Sequence, residues 1–216
     1  KIRSETESSR QAANRPHEVL YFHKVDDPYS HLTIQCLEQL ESSYEITLKF
    51  ILVGEENLDA VHEPSLYNIY CLEDVKRIAP FYNIDFQANE YPAKELVDMA
   101  NSILTAVQPE DLIEISTKIS SALWQGDAAA LDALSSSYFA TKAEVKENLI
   151  QGNKIRDEKG YYFGSAFYYE KELYWGIDRL PYLEERLADL GAKKLHENQN
   201  ICSLKLNAPN DLQSDQ

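Results

Sequence analysis

Glu18-Val-Leu-Tyr-Phe-His23, followed at once by Lys24-Val25-Asp26-Asp27-Pro28, is the stretch that decides the fold. The four central residues of the first run are β-branched, aliphatic or aromatic, the composition of a largely buried strand. Asp27 is a good helix N-cap, and Pro28 suits the first helical position, where its missing N–H would have no intrahelical partner. Leu32, Cys36, Leu37 and Leu40 then recur at helical spacing. Ile46-Thr-Leu-Lys-Phe-Ile-Leu52 reads as a second strand. A helix between two strands favours parallel pairing, since that pairing needs a crossover rather than a tight turn.

Beyond this unit the pattern becomes helical and almost free of glycine. Leu66 to Tyr82 carries Leu66, Ile69, Tyr70, Leu72, Val75, Ile78 and Ala79 at helical spacing; Pro92 opens a second helix through Val97, Ala100 and Leu104. Pro109-Glu110-Asp111 opens a third, with acids in its first turn where the helix dipole favours them. It runs to Trp124 and is broken by Gln125-Gly126-Asp127. Thr141 and Glu144 have capping-box spacing for a helix reaching about Arg156. Ser165 to Tyr169 and Leu173 to Gly176 are two short aromatic-rich strands about the turn Glu170-Lys171-Glu172, and Asp178 is placed to cap a final helix, Leu180 to Leu190, that Gly191 stops. The order is βαβ, a helical block, then ββα. The fold class is therefore α/β, a thioredoxin-like sheet (17–64 and 158–192) with a helical insertion (65–157) between its halves. Residues 1–16 and 193–216 are polar and read as a flexible lead-in and tail.

The 216 residues carry a formal charge of −15, a field that repels phosphate backbones and anionic bilayers, so neither nucleic acid nor membrane is an expected partner. No apolar run approaches the roughly 18 residues of a spanning helix, and the first residues lack the apolar core of a secretory signal. Cys36, Cys71 and Cys202 form no CxxC pair, and no His/Cys/Asp spacing makes a metal signature. Each cysteine is expected to pack as a small apolar side chain, and a reducing, cytoplasmic setting follows as the expectation.

Three stretches resemble the DsbA superfamily, in particular the branch of 2-hydroxychromene-2-carboxylate isomerase and kappa-class glutathione transferase. Tyr21 to Leu32 is similar to the strand followed by Ser-Pro-Tyr-Ser, the slot where disulfide oxidoreductases carry Cys-Pro-x-Cys. Tyr67 to Phe86 resembles the insertion helix with its Tyr-Gly-Leu-Pro-Phe-like turn, and Ala122-Leu-Trp124 the Ala-x-Trp helix end. Trp175-Gly-Ile-Asp-Arg-Leu180 is similar to the Phe-Trp-Gly-x-Asp-Arg-Leu ending. The resemblance covers roughly residues 18 to 190 and implies a glutathione-dependent isomerase or transferase on a small aromatic or apolar substrate, commonly a homodimer.

The departures bear on activity. Asp27 stands where the resemblance places a nucleophilic cysteine or a glutathione-facing serine, Ser30 at the second cysteine position, and Ala166 where the superfamily has a cis-proline. A carboxylate cannot exchange disulfides, and a hydroxyl cannot resolve one, so dithiol oxidoreductase chemistry is not expected. Ser30 and Asp27 are nevertheless the candidate catalytic pair, with Ser30 able to present a hydroxyl to an anion at the helix start and Asp27 serving equally well as a plain cap. Ala166, Phe167, Asp178 and Arg179 are the positions the resemblance assigns to glutathione. His23, Tyr29 and His31 flank the motif as candidate groove residues, and the histidines with Asp27 suggest an acid–base or metal cluster unless each is an ordinary residue at an element end. Two functions remain: a ligand- or peptide-binding module without redox chemistry, or the glutathione-dependent enzyme.

Overall fold

The computed structural model describes residues 2–54, 61, 63–84 and 86–194. Strand β1 (His17–His23) is the spine of the molecule: Val19, Tyr21 and Phe22 are wholly inaccessible to solvent. Its side chains alternate between two cores, as the two-residue period of a strand requires. Val19 and Tyr21 enter the main core, whereas Leu20 and Phe22 enter a smaller one with Val53 and Ala166. Strand β2 (Ile46–Leu52) pairs with β1 in parallel, from His17↔Ile46 to His23↔Leu52. Strands β3 (Ala166–Tyr169) and β4 (Glu172–Trp175) form an antiparallel hairpin laid against β1, with Phe22 opposite Ala166. The sheet order is β2-β1-β3-β4.

Helix α1 (Ile2–Ala12) precedes β1, which corrects the reading of residues 1–16 as a flexible lead-in. Its charges are matched to the β3–β4 hairpin. The Arg3 guanidinium donates from Nε and Nη2 to the two Glu172 carboxylate oxygens, both at 2.7 Å, and Arg15 pairs with Glu170 at 2.9 Å. That hairpin turns on Glu170 and Lys171, both at positive φ without being glycine, and the Arg186 guanidinium on the last helix donates to the carbonyl of Glu170. A sequence reading that scores polarity sees a tail here, because the partners lie far along the chain.

The crossover is two helices rather than one: α2 (Pro28–Ile34) and α3 (Leu37–Ser43). Between them the Cys36 N–H bonds back three residues to Thr33, so the ladder tightens and the chain redirects before Leu37. Helices α4 (Pro64–Ile78), α5 (Lys94–Ala106), α6 (Leu112–Trp124), α7 (Ala128–Ser135) and α8 (Lys142–Glu158) lie between β2 and β3 in the chain. Helix α7 was not anticipated; Asp127, read only as a breaker, is its N-cap and accepts from the Ala130 N–H at 3.0 Å. The Thr141/Glu144 capping box of α8 is present as expected. A short 3₁₀ turn (Ile177–Arg179) leads into α9 (Leu180–Asp189), and here Asp178 is not the cap: Arg179 occupies the N-cap position with no side-chain bond to the helix. Past α9 the chain pairs with the end of α3, the Lys194 N–H donating to the carbonyl of Ser43 and the Glu45 N–H to that of Ala192. The expected tail beyond residue 194, with Cys202, lies outside the described residues. Among the described residues no helix is long and apolar enough to cross a membrane.

Helix α8 presses on β2 so closely that only glycine fits at 152, since a Cβ there would collide with the Leu52 carbonyl oxygen. The neighbouring Asn153 accepts from the Gly54 N–H at 2.8 Å and holds that contact in register. Replacing Gly152 with Ala should cost about 3 kcal/mol by forcing the helix off the sheet, measurable as a lower urea midpoint with little change in slope.

Candidate functional site

The turn between β1 and α2 is closed on itself. Asp27 accepts from the backbone N–H of Tyr29 (3.2 Å) and of Ser30 (3.0 Å), and the Ser30 hydroxyl donates to the same carboxylate at 2.7 Å. The Ser30 oxygen also accepts from the Lys24 N–H. Ser30 is 0% exposed, so its hydroxyl is not presented to a ligand, which corrects the reading of it as an anion-facing group. The donors at the helix start, which in an open site would bind an anion or stabilise a thiolate, are taken by the chain's own carboxylate. The capping reading of Asp27 is what the geometry realises.

Above this turn lies the loop into β3. A Cβ on Gly164 would fall 3.1 Å from the Asp27 carboxylate, 3.0 Å from Ser30 Oγ and 2.8 Å from Lys24 Cβ, so glycine lets the loop lie directly on the turn. Ser165 follows at φ 53°, its hydroxyl 2.7 Å from that of Thr33 and its carbonyl accepting from the Gly176 N–H at 2.7 Å. The two loops therefore meet. The peptide into Ala166 is trans. Ala166 and Phe167, expected to face a cofactor, are both wholly buried, with the Phe167 ring 4.9 Å from that of Tyr21. Asp178 and Arg179, the other expected glutathione contacts, stay on the surface and pair with each other at 3.4 Å, while the Arg179 guanidinium sits over the Tyr182 ring.

Aromatic rings cover the outside of the turn. Trp175 stacks on Phe163 (5.6 Å), Phe163 on Tyr67 (5.7 Å), and Tyr29 meets Trp175 edge-on at 5.8 Å. The Tyr29 hydroxyl donates to Asp74 at 2.8 Å, so this candidate groove residue acts as a strut to α4. Cys71 is buried beneath Tyr67 and Tyr29, and burial, with lesser help from the Asp27 and Asp74 charges, pushes its thiol up to about 11. Cys36 is buried too, at the α2–α3 junction. Neither thiol has the exposed, electropositive setting that reactive cysteines need.

The histidines do not join Asp27. His23 is buried with its Nδ1 3.2 Å from the Tyr21 hydroxyl, and burial, with a smaller push from His31, lowers its pKa to about 3. His31 Nδ1 lies 2.8 Å from Ser120 Oγ on α6, and burial lowers its pKa to about 4. Both are neutral at pH 7, and no metal-holding cluster exists among the described residues. Of the candidate groove residues, His31 lines a cleft. That cleft, of about 700 Å³, is floored by Phe86, Tyr91 and Trp124 and bordered by Gln35 and Glu90. A second, of about 1130 Å³, opens at the carboxyl ends of β1 and β2 between Lys24, Gly54, α5 and α8. Sequence reasoning found neither, although Phe86 and Trp124 stood in motifs quoted for their resemblance; the linings come from segments far apart in the chain.

A β2-β1-β3-β4 sheet with helices α4 to α8 inserted before its hairpin, and the helix-start turn facing the β3 loop, defines a thioredoxin-like fold with a helical insertion. Solved structures agree. The chain is similar to 2-hydroxychromene-2-carboxylate isomerase, with 18% identity over 81% of this chain and 96% of that one and a TM-score of 0.54. It is similar also to a proposed protein disulfide isomerase from Nitrosomonas europaea, with 16% identity over 81% of this chain and 95% of that one and a TM-score of 0.58. No family model and no curated protein matches the sequence. At such identities the likeness establishes the fold.

Two outcomes are expected. Asp27→Ala removes the cap and a charge-assisted partner of Ser30 and should lower stability by about 2 kcal/mol, read from chemical denaturation. Because His31 is neutral when folded and has an ordinary pKa when unfolded, the unfolded chain binds the extra proton between about pH 4 and 6.5. His31 therefore contributes a stability that is present above pH 6.5 and lost on acidification through that window, at up to about 1.4 kcal/mol per pH unit. His31→Gln should flatten the wild-type fall in melting temperature there; an unchanged slope would contradict the assignment.

Proposed function

We propose that this chain is a thioredoxin-fold binding module for a small molecule or peptide, without dithiol–disulfide chemistry. The observation that carries this reading is the closed Asp27–Ser30 pair: the carboxylate takes the helix-start donors, and the hydroxyl has no path to solvent. Disulfide exchange needs a thiolate at that start and a second thiol to resolve the intermediate. The chain offers Asp27 and Ser30 there, and burial holds the nearby Cys71 protonated. Buried Cys36 and Cys71 accord with a reducing, cytoplasmic setting.

The structural likeness to 2-hydroxychromene-2-carboxylate isomerase supports a second reading, a glutathione-dependent isomerase or transferase. Exposed Asp178 and Arg179 are compatible with it, but the Ser30 hydroxyl and the Asp27 charge weigh against a bound glutathione sulfur at the turn. Two measurements separate the readings. Under the first, insulin reduction stays at the uncatalysed rate and glutathione at millimolar concentration leaves the melting temperature unmoved. A clear stabilisation by glutathione would instead favour the enzyme, and turnover in the insulin assay would remove both.

A further inference from the structure

Helix α4 (Pro64–Ile78) carries apolar side chains on two opposite faces. Cys71, Leu72 and Val75 are buried against the rest of the molecule. At about 100° per residue, Leu66, Ile69, Tyr70, Glu73 and Arg77 all fall on the other side, within an arc of roughly 100°. That arc faces solvent: Leu66 is 65% exposed, Ile69 61% and Tyr70 59%, and Phe81, on the 3₁₀ turn (Ala79–Tyr82) that follows, 43%. A helix that is only the outer wall of a globular protein keeps apolar residues on one face and polar ones on the other. Single exposed apolar residues are ordinary, whereas a contiguous set marks an interaction surface.

The spacing of the set selects its partner. Leu66, Tyr70, Glu73 and Arg77 follow one another by four, three and four residues, the interval of a seam along which two helices pack. Glu73 and Arg77 are both exposed; Glu73 meets Lys76 of its own helix at 3.2 Å, and Arg77 joins no ion pair among the described residues. A second copy of the chain offers the complementary seam. About a two-fold axis contacts are reciprocal, so a residue i that meets j is matched by j meeting i. With the helices antiparallel and the axis at the level of Val75, Glu73 of each copy lies level with Arg77 of the other, and Ile69 with Phe81. Parallel packing would instead oppose Glu73 to Glu73 and Arg77 to Arg77. The seam holds one acid and one base, whereas the whole chain carries −15, so it is a surface on which two such chains approach without opposing like charges.

We infer that the outer face of α4 is a self-association surface, through which two copies of this chain pair antiparallel about Glu73 and Arg77. A helix of 15 residues is about 22 Å long and about 10 Å wide, so α4 alone covers roughly 200 Å² of the about 800 Å² per partner that stable complexes bury. Its flank continues into the aromatic strip over the helix-start turn, where Tyr67 stacks on Phe163 and Trp175 is 40% exposed. The strip widens the apolar surface beyond one helix, and a face of this size suits a reversible dimer, half-formed on the order of tens of micromolar. Pairing through α4 uses none of the Asp27–Ser30 turn and holds whether or not the chain binds a ligand.

The test is sedimentation equilibrium of the full chain from about 1 to about 300 μM at constant ionic strength. The mass should rise from 24.8 kDa toward twice that value as concentration increases. Ile69→Lys, at an exposed position that should leave the circular dichroism unchanged, should raise the dissociation constant at least about tenfold. Charge variants test the register. Glu73→Arg and Arg77→Glu should each weaken pairing about fivefold, and the double variant, which exchanges the two charges, should return it to within about twofold of the original. Phe139→Lys, at a 72% exposed position on the second cleft, should leave the midpoint unmoved. A chain that stays monomeric throughout would overturn the assignment and leave α4 to a different protein partner. Association that survives Ile69→Lys, that Phe139→Lys abolishes, or that the double charge variant fails to restore would overturn it equally.

Discussion

A single carboxylate organises the end of the sheet. Asp27 receives two backbone N–H groups and the Ser30 hydroxyl. It thereby starts α2 at a defined point and fixes the side chain against which the β3 loop closes. Gly164 lies on that pair, Ser165 reaches Thr33 one turn further along α2, and the Ser165 carbonyl holds Gly176 at the end of β4. The contact between the two halves of the thioredoxin-like unit thus runs through a turn that uses its donors internally. An exposed sulfur atom in the same place would leave those donors open to whatever approaches, which is the condition for exchange chemistry. The carboxylate makes this helix start a structural joint.

Much of the fold was legible because its signals are local. The apolar centre of β1, the Asp27-Pro28 start, the Thr141–Glu144 box and the aromatic hairpin each lie within a few residues, and each forms where it was expected. The misses share the opposite property. Helix α1 is tied down by Glu172, and Arg15 just past it by Glu170, each more than 150 residues away, so nothing nearby distinguishes the segment from a tail. Asp178 looks like a cap from its spacing, but α9 starts at Leu180 after the 3₁₀ turn through Ile177, so Arg179 takes the N-cap position and the Asp178 carboxylate stays on the surface.

The site was half legible for the same reason. Which residue types occupy the turn could be read, and with them the absence of a thiol. Whether Ser30 meets solvent depends on how closely Gly164 approaches, and Phe167 becomes core only when it meets Tyr21 across the sheet. Both are distances between segments more than a hundred residues apart. The histidines show it most clearly: His23 and His31 are close in sequence and close enough to influence each other, yet one faces Tyr21 and the other faces Ser120 on α6.

Helix α2 consequently faces two environments within its 7 residues. Its first turn is sealed by Asp27, Ser30 and the β3 loop, while His31, immediately after Ser30, points to the helical block and lines the open cleft there. A helix advances about 100° per residue, so neighbouring positions look in different directions and can serve different roles without interfering. Trp124 at the close of α6 packs against Phe86 and Tyr91 on the segment before α5, and the cleft opens beside them. Burial keeps His31 neutral at that junction, where its ring ties α2 to α6. The two environments follow from how each side chain is hydrogen-bonded rather than from any change of fold.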